Sequence, residues 1–192
     1  FTRSTDGGVT FDTERNFDAV LPPGERVNSD CPDLAVANDG SVLVAFFDRF
    51  GASRLYGVRS TDNGVTFTKT FQVDVFSGNT AVWPRFAVAR GAATVLLGVV
   101  RSDQQLVVWR SPDNGASFGA AATVVTSAYR NPYIVSSVGY EVQFTRTGLG
   151  HWLVAWEDVR NAGSDSIMTD IYARVSTDDG VTWGAEQRVD RD

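Results

Sequence analysis

The sequence predicts an all-β fold, a run of four-stranded antiparallel blades of a β-propeller. Three observations predict it. A hairpin motif, Ser-x-Asp-x-Gly-x-(Thr/Ser)-(Phe/Trp), occurs four times at near-regular spacing. Paired strand patterns joined by tight turns fill the intervals, and no segment carries a helical period.

The motif reads Ser4-Thr5-Asp6-Gly7-Gly8-Val9-Thr10-Phe11, Ser60-Thr61-Asp62-Asn63-Gly64-Val65-Thr66-Phe67, Ser111-Pro112-Asp113-Asn114-Gly115-Ala116-Ser117-Phe118 and Ser176-Thr177-Asp178-Asp179-Gly180-Val181-Thr182-Trp183. The starts lie 56, 51 and 65 residues apart. Its chemistry is that of a tight turn. The Asp carboxylate accepts from backbone N–H groups of its own turn, and Gly-Gly, Asn-Gly or Asp-Gly supplies positive φ. The Ser and Thr hydroxyls tie down the remaining backbone groups. The closing aromatic is long enough to anchor the hairpin in a core.

Between these hairpins the pattern is repeated strand. Leu34–Ala37, an Asn38-Asp39-Gly40 turn and Val42–Phe47 form a first pair. Phe86–Ala89 with Val95–Val100, and Val142–Thr145 with Trp152–Trp156, repeat the plan. A third strand follows in each unit, at Leu55–Arg59, Leu106–Arg110 and Ile171–Val175, and runs straight into a motif copy. A fourth strand leaves it. Four antiparallel strands in about 50 residues describe a propeller blade.

Composition narrows the function classes. At 192 residues the chain can bury one substantial core or two small ones. A net charge of −6 excludes the basic face that nucleic acid requires. The longest apolar run, near Ala93–Val100, has strand length and is too short to span a bilayer. Lys69 is the only lysine, so the cationic residues are almost all Arg, whose planar fork suits carboxylates; an Arg-rich genome produces the same bias. Cys31 is alone, which excludes an intrachain disulfide and a Cys-based metal site. A start on Phe1, without Met or a signal-peptide pattern, points to a processed form or an excised fragment.

The four hairpins resemble the Asp boxes of the bacterial neuraminidase repeat propellers, the family that includes sialidases and many secreted sugar-active or sugar-binding proteins. The likeness covers essentially the whole chain. Stretches such as Cys31-Pro32-Asp33-Leu34-Ala35-Val36 and Trp156-Glu157-Asp158-Val159-Arg160-Asn161, with Asp170-Ile171-Tyr172-Ala173-Arg174, look like this family's blades. The resemblance implies the fold and an extracellular or cell-surface setting; it does not by itself imply an activity.

Counting blades gives a partial one at about 1–20 and complete ones at about 28–75, 82–125 and 140–189, in a single propeller segment over 1–192. The first box lies too close to the N-terminus for inner strands, while a sialidase-like ring needs six blades. Either the remainder of a longer parent chain or a homodimer of two half-rings is expected to close it.

Strand alternation puts the boxes on one face with the first-to-second turns, so the box aspartates are expected to be structural. The family's ligand sites lie on the other face, around the axis. There the starts of the inner strands carry Asp33, Arg85, Tyr140 and Glu141. The ends of the second strands carry Asp48 and Arg49, Arg101 and Asp103, and Glu157 and Asp158 with Arg160. Trp83, Tyr129, Arg130 and Tyr133 lie in connections on the same side. Carboxylates, Arg forks and aromatic faces converging on one rim suit a glycan or sugar-acid ligand. The competing reading is that Asp and Arg at strand ends pair with each other.

A sialidase of this family grips its substrate carboxylate with three arginines and uses a Tyr nucleophile with a neighbouring Glu and an Asp acid/base. Arg85, Arg101, Arg160, Tyr140 and Glu141 are available, but their spacing departs from that pattern. The family's Arg-Ile-Pro-like motif is absent; Trp83-Pro84-Arg85-Phe86 stands in a different order. The single histidine, His151, falls on the box face and supports neither a catalytic triad nor a His-based metal site. The acidic loop Asp158–Asp170, with Asp165, lacks an EF-hand pattern and reads as a solvated loop. No phosphate-binding loop is present, and no cofactor is expected. Three readings stay open: a carbohydrate-binding or interaction module, a sialidase-type glycoside hydrolase seen as a fragment or half-ring, and a repeat scaffold without ligand.

Overall fold

The computed structural model describes residues 1–17, 20–21, 29–48, 54–74, 85–88, 92–100, 105–125, 142–158, 160–161 and 170–190. Twelve strands form three separate four-stranded antiparallel sheets, with no helix among the described residues. Blade A holds β1 (Ser29–Val36), β2 (Val42–Asp48), β3 (Arg54–Ser60) and β4 (Thr68–Asp74). Blade B holds β5 (Arg85–Val88), β6 (Val95–Val100), β7 (Leu106–Ser111) and β8 (Ala122–Val125). Blade C holds β9 (Val142–Gly148), β10 (His151–Asp158), β11 (Asp170–Ser176) and β12 (Gln187–Arg188). Strand order follows chain order within each blade, as short connections require. The inner strands of successive blades are neighbours, β1 against β5 and β5 against β9.

The boxes form one hydrogen-bond network four times over. The serine hydroxyl donates to the Asp Oδ1 at 2.7–2.8 Å and accepts from the box glycine N–H at 2.8–2.9 Å. The same Asp Oδ1 accepts the N–H of the Thr or Ser four residues on, and Oδ2 accepts its hydroxyl at 2.5–2.6 Å. The two residues after the Asp are left-handed: Asn63 at φ 57° precedes Gly64 at 78°, and Asp179 at 63° precedes Gly180 at 84°. Asn, Asp and Gly tolerate that region, which explains the motif's composition. Backbone bonds from Asn114 to Ala93 (2.7 Å) and from Asp179 to Gly150 (2.6 Å) tie the boxes to the first-to-second turns of their own blades. The boxes and those turns therefore share one face, as strand alternation predicts.

The boxes also join the blades. Arg3, Arg59 and Arg110, each immediately before a box serine, donate to the main-chain carbonyls of Asn63, Asn114 and Asp179 in the next box, at 3.1, 3.1 and 2.9 Å. A Cβ on Gly115 or Gly180 would come within 2.5 or 3.0 Å of Leu43 or Leu96 in the preceding blade. Only glycine lets the box sit that close. In blade C the residue before the box serine is Val175, 43% exposed, so the series of arginine latches stops there.

The apolar cores among the described residues lie between successive units rather than within them. Ala45, Phe47 and Leu55 of blade A meet Leu97, Val99 and Trp109 of blade B. Leu96, Leu106 and Val108 of blade B meet Trp152, Val154, Trp156 and Tyr172 of blade C. Phe67, Phe118 and Trp183, the closing aromatics of the three later boxes, pack into these cores. Phe11 of the first box is an exception to the expected anchoring role. It is 63% exposed. Phe1 and Phe17 hold that hairpin instead: Phe17 stacks on Phe46 at 5.4 Å, and Phe1 meets Phe67 edge-on at 5.0 Å.

Two outcomes follow from this packing. Gly98 lies beneath the Phe144 ring, which a Cβ there would strike. Gly98→Ala is therefore expected to lower stability by about 1–3 kcal/mol in denaturant titrations, the ordinary cost of overpacking; an unchanged midpoint would refute the close contact. The second outcome concerns acid. The Thr182 hydroxyl bond, with backbone and Ser176 bonds, lowers Asp178 to about 2 from an ordinary 3.8. Asp6 and Asp62 are lowered by the same kinds of bond. At Asp113 desolvation pulls upward, and the bonds from Ser117 and Ser111 outweigh it. Carboxylates with depressed folded-state values stabilise the fold above 3.8 and lose that contribution as pH falls toward about 2. Denaturant titrations at a series of acid pH values should show stability falling as pH drops from 3.8 toward about 2; stability unchanged across that window would contradict the box network.

Candidate functional site

The box serines index the blades, so equivalent positions can be read from the ladders. Leu43, Leu96 and Leu153 pair with the residues immediately before the box serines, Arg59, Arg110 and Val175. Two residues on, Ala45, Gly98 and Ala155 pair with Asp33, Arg85 and Gln143 of the inner strands. Asp33, Arg85 and Gln143 thus occupy one rung in three successive blades, away from the boxes. Asp48 and Asp158, each three residues beyond that alanine, likewise share a level at the ends of the second strands. Gln143 is exposed and was not among the sequence candidates. Counting strand positions back from the boxes would have found it.

Asp33 reaches across a blade boundary. Its Oδ2 accepts the backbone N–H of Phe86 at 2.5 Å. β5 is an edge strand whose outward amides have no ladder partner, and the Asp33 carboxylate satisfies one of them. This bond fixes the spacing of the inner strands of blades A and B at the level where Arg85 stands.

Asp158 and Arg160 sit together at the end of β10. The Asp158 side chain is fully buried, at 0% exposure. Its Oδ1 accepts the Arg160 backbone N–H at 2.8 Å, and its Oδ2 takes the guanidinium at 2.5 Å. Arg160 also bonds Glu186 and lies 4.1 Å from the centroid of the Tyr172 ring. The hydrogen bond to Asp158, with that to Glu186 and the two negative charges, pushes Arg160 further above its already high value. Asn161 donates to Asp170 and to the Tyr172 hydroxyl, both at 2.7 Å. Arg188 closes the cluster on Asp170 at 2.7 Å and Asp190 at 3.1 Å. The whole group ties the second strand of blade C to its third and fourth. Asp158 and Arg160 therefore meet each other, not an open cavity, because a buried carboxylate needs its charge and lone pairs satisfied.

The other candidates are not brought into view. Asp48 and Arg85 are described in backbone only. Arg49, Arg101, Asp103, Tyr140 and Glu141 lie outside the described residues, as do Trp83, Tyr129, Arg130 and Tyr133. Most of the acidic loop around Asp165 does too. His151 is exposed at the start of β10 opposite Gly148, on the box face as expected. No group of three or more His, Cys, Asp or Glu suited to a metal ion occurs among the described residues. No helix there is long and apolar enough to cross a membrane. A cavity of about 530 Å³ opens between β5 and β9, bordered by Phe86, Phe144, Arg146 and Trp152; Gly148 places it toward the boxes.

No protein-family model matches the chain, and no curated protein matches it in sequence. Solved structures do match. An alpha-L-arabinanase of Penicillium chrysogenum complexed with arabinobiose superposes over 83% of this chain and 49% of its own, at 18% identity and TM-score 0.55. The fold is a β-propeller of four-stranded antiparallel blades. A protein of unknown function from Dyadobacter fermentans covers 91% of this chain and 46% of its own, at 17% identity and TM-score 0.55. The Hadza microbial sialidase Hz136 covers all of this chain with 36% of its own, at 18% identity and TM-score 0.52. The chain spans less than half the length of these structures.

The cluster at the end of β10 sets an expectation for this propeller. Asp158→Ala removes the buried carboxylate that holds Arg160, which keeps Glu186 as its partner, and should destabilise the protein by about 1–3 kcal/mol. Thermal melting of the variant checks this; a melting temperature equal to the wild type would show that the pair is not structural.

Proposed function

We propose that this chain is a non-catalytic carbohydrate-binding or partner-presenting segment of a sialidase-like propeller, in an extracellular or cell-surface setting. Its contact surface is the face opposite the boxes, around Asp33, Arg85 and Gln143. The observation that carries this reading is the engagement of the described candidate carboxylates. Asp33 is spent on the Phe86 amide and Asp158 on Arg160. A general acid or base needs a carboxyl free to exchange its proton with a reacting group. A binding face needs only side chains held in place, with Arg forks for sugar acids and amides such as Gln143 for hydroxyls.

Likeness to an arabinanase and a sialidase keeps a glycoside hydrolase as the second reading. On either reading, further blades complete the ring, supplied by a second copy or by more of a longer chain. Support comes from Leu34, 53% exposed on the inner strand of blade A, on the face whose second and third strands the first hairpin covers. It occupies the rung where Phe86 and Phe144 pack against a preceding blade.

Glycan-array binding without turnover, weakened about tenfold or more by Arg85→Ala, is the expected result. Hydrolysis of a fluorogenic sialoside or of an arabinan oligosaccharide, abolished by Arg85→Ala, would decide for the enzyme. Silence in every assay would leave a scaffold. Light scattering that finds a well-folded monomer in dilute solution would remove the second-copy route to closure.

A further inference from the structure

Two boxes carry an Asn-Gly pair, Asn63-Gly64 and Asn114-Gly115, where the first has Gly7-Gly8 and the last Asp179-Gly180. In a flexible chain such a pair is prone to cyclise, since glycine leaves its own nitrogen unhindered and its backbone mobile. The box opposes this. The Gly64 and Gly115 N–H groups each donate to the box serine hydroxyl at 2.8 Å. Those hydroxyls spend their own protons on Asp62 and Asp113, both at 2.7 Å, which leaves their lone pairs for the glycine amide. The asparagines are held left-handed, at φ 57° and 56°. While the serine bond stands, the glycine nitrogen is committed away from the neighbouring amide carbon.

We propose that Asn63 and Asn114 are latent deamidation sites which the box serines hold unreacted, and that Asn63 reacts first when its hairpin opens. In the reaction the Gly64 nitrogen gives up its proton and forms a bond to the Asn63 Cγ. The Cγ–Nδ2 bond breaks, and ammonia leaves with that proton. Water then opens the succinimide at either carbonyl, giving aspartate or the chain-lengthened isoaspartate.

The order between the sites follows from their surroundings. Asn63 is exposed, and the chain that grips its carbonyl, through Arg3, is the exposed first hairpin. Asn114 is half-buried, with its N–H on Ala93 and its carbonyl on Arg59. The consequences also differ. Isoaspartate at position 63 redraws the main chain at the carbonyl that seats Arg3. Ordinary aspartate at position 114 would set a carboxylate beside Arg59. That is the arrangement Asp179 already has, taking Thr94 at 2.5 Å and Arg110 at 2.6 Å.

Peptide mapping by mass spectrometry, during incubation in mildly alkaline buffer, tests this on the folded and the urea-denatured chain. Reaction through an opened hairpin should run roughly tenfold or more slower in the folded protein, at Asn114 slower still than at Asn63. Ser60→Ala should speed reaction at Asn63 and leave Asn114 unmoved, while Ser60→Thr should restore protection. Equal rates in folded and denatured wild type would overturn the proposal. So would a Ser60→Ala protein with native circular dichroism that reacts at the wild-type rate. Should Ser60→Ala not fold, the wild-type comparison alone decides.

Discussion

Everything in this structure hangs on two consecutive left-handed residues in each box. The first turns its carbonyl toward the preceding unit, where Arg3, Arg59 or Arg110 takes it. The second, a glycine, has no Cβ, and so Phe1, Leu43 or Leu96 of the preceding unit can press against the turn. A hairpin closed by its own Ser, Asp and Thr side chains becomes the joint between blades. The apolar cores lie between units, so each blade depends on its neighbours for burial. Stability of this kind is a chain of nearest-neighbour terms.

The same logic separates structure from recognition. Box carboxylates are exposed to solvent yet occupied on every side by their own turn, which is why their acidity is raised and their chemistry closed. On the opposite face charge is handled in two ways. At the end of β10, Asp158, Arg160, Glu186 and Tyr172 neutralise and cover one another. On the inner strands one rung presents a different residue type in each blade, Asp33, Arg85 and Gln143. On the function proposed above, the frame repeats from blade to blade while the contacts need not.

Legibility from sequence followed the range of the interactions. The hairpins, the strand triplets between them and the sharing of one face by boxes and first turns are local or near-local, and all could be read directly. Phe11 could not, because its exposure depends on packing between units, and neither could the contacts of Phe1 and Phe17 with blade A. Asp158 and Arg160 were legible as a polar pair at a rim. Their burial under Tyr172 and Glu186 depends on where the fourth strand of the blade returns. Gln143 carries no motif and is found only by register.

By itself, then, the sequence determined the architecture, because the box spells out its own turn within eight residues and the period of its repeats spells out the blade. Tertiary structure alone decided what the boxes join and which polar residues are used up. The arginine latches, the glycine seats and the Asp33–Phe86 bond all link residues more than 50 positions apart. Such contacts are set by how one twisted sheet lies on the next, and no local pattern encodes that distance.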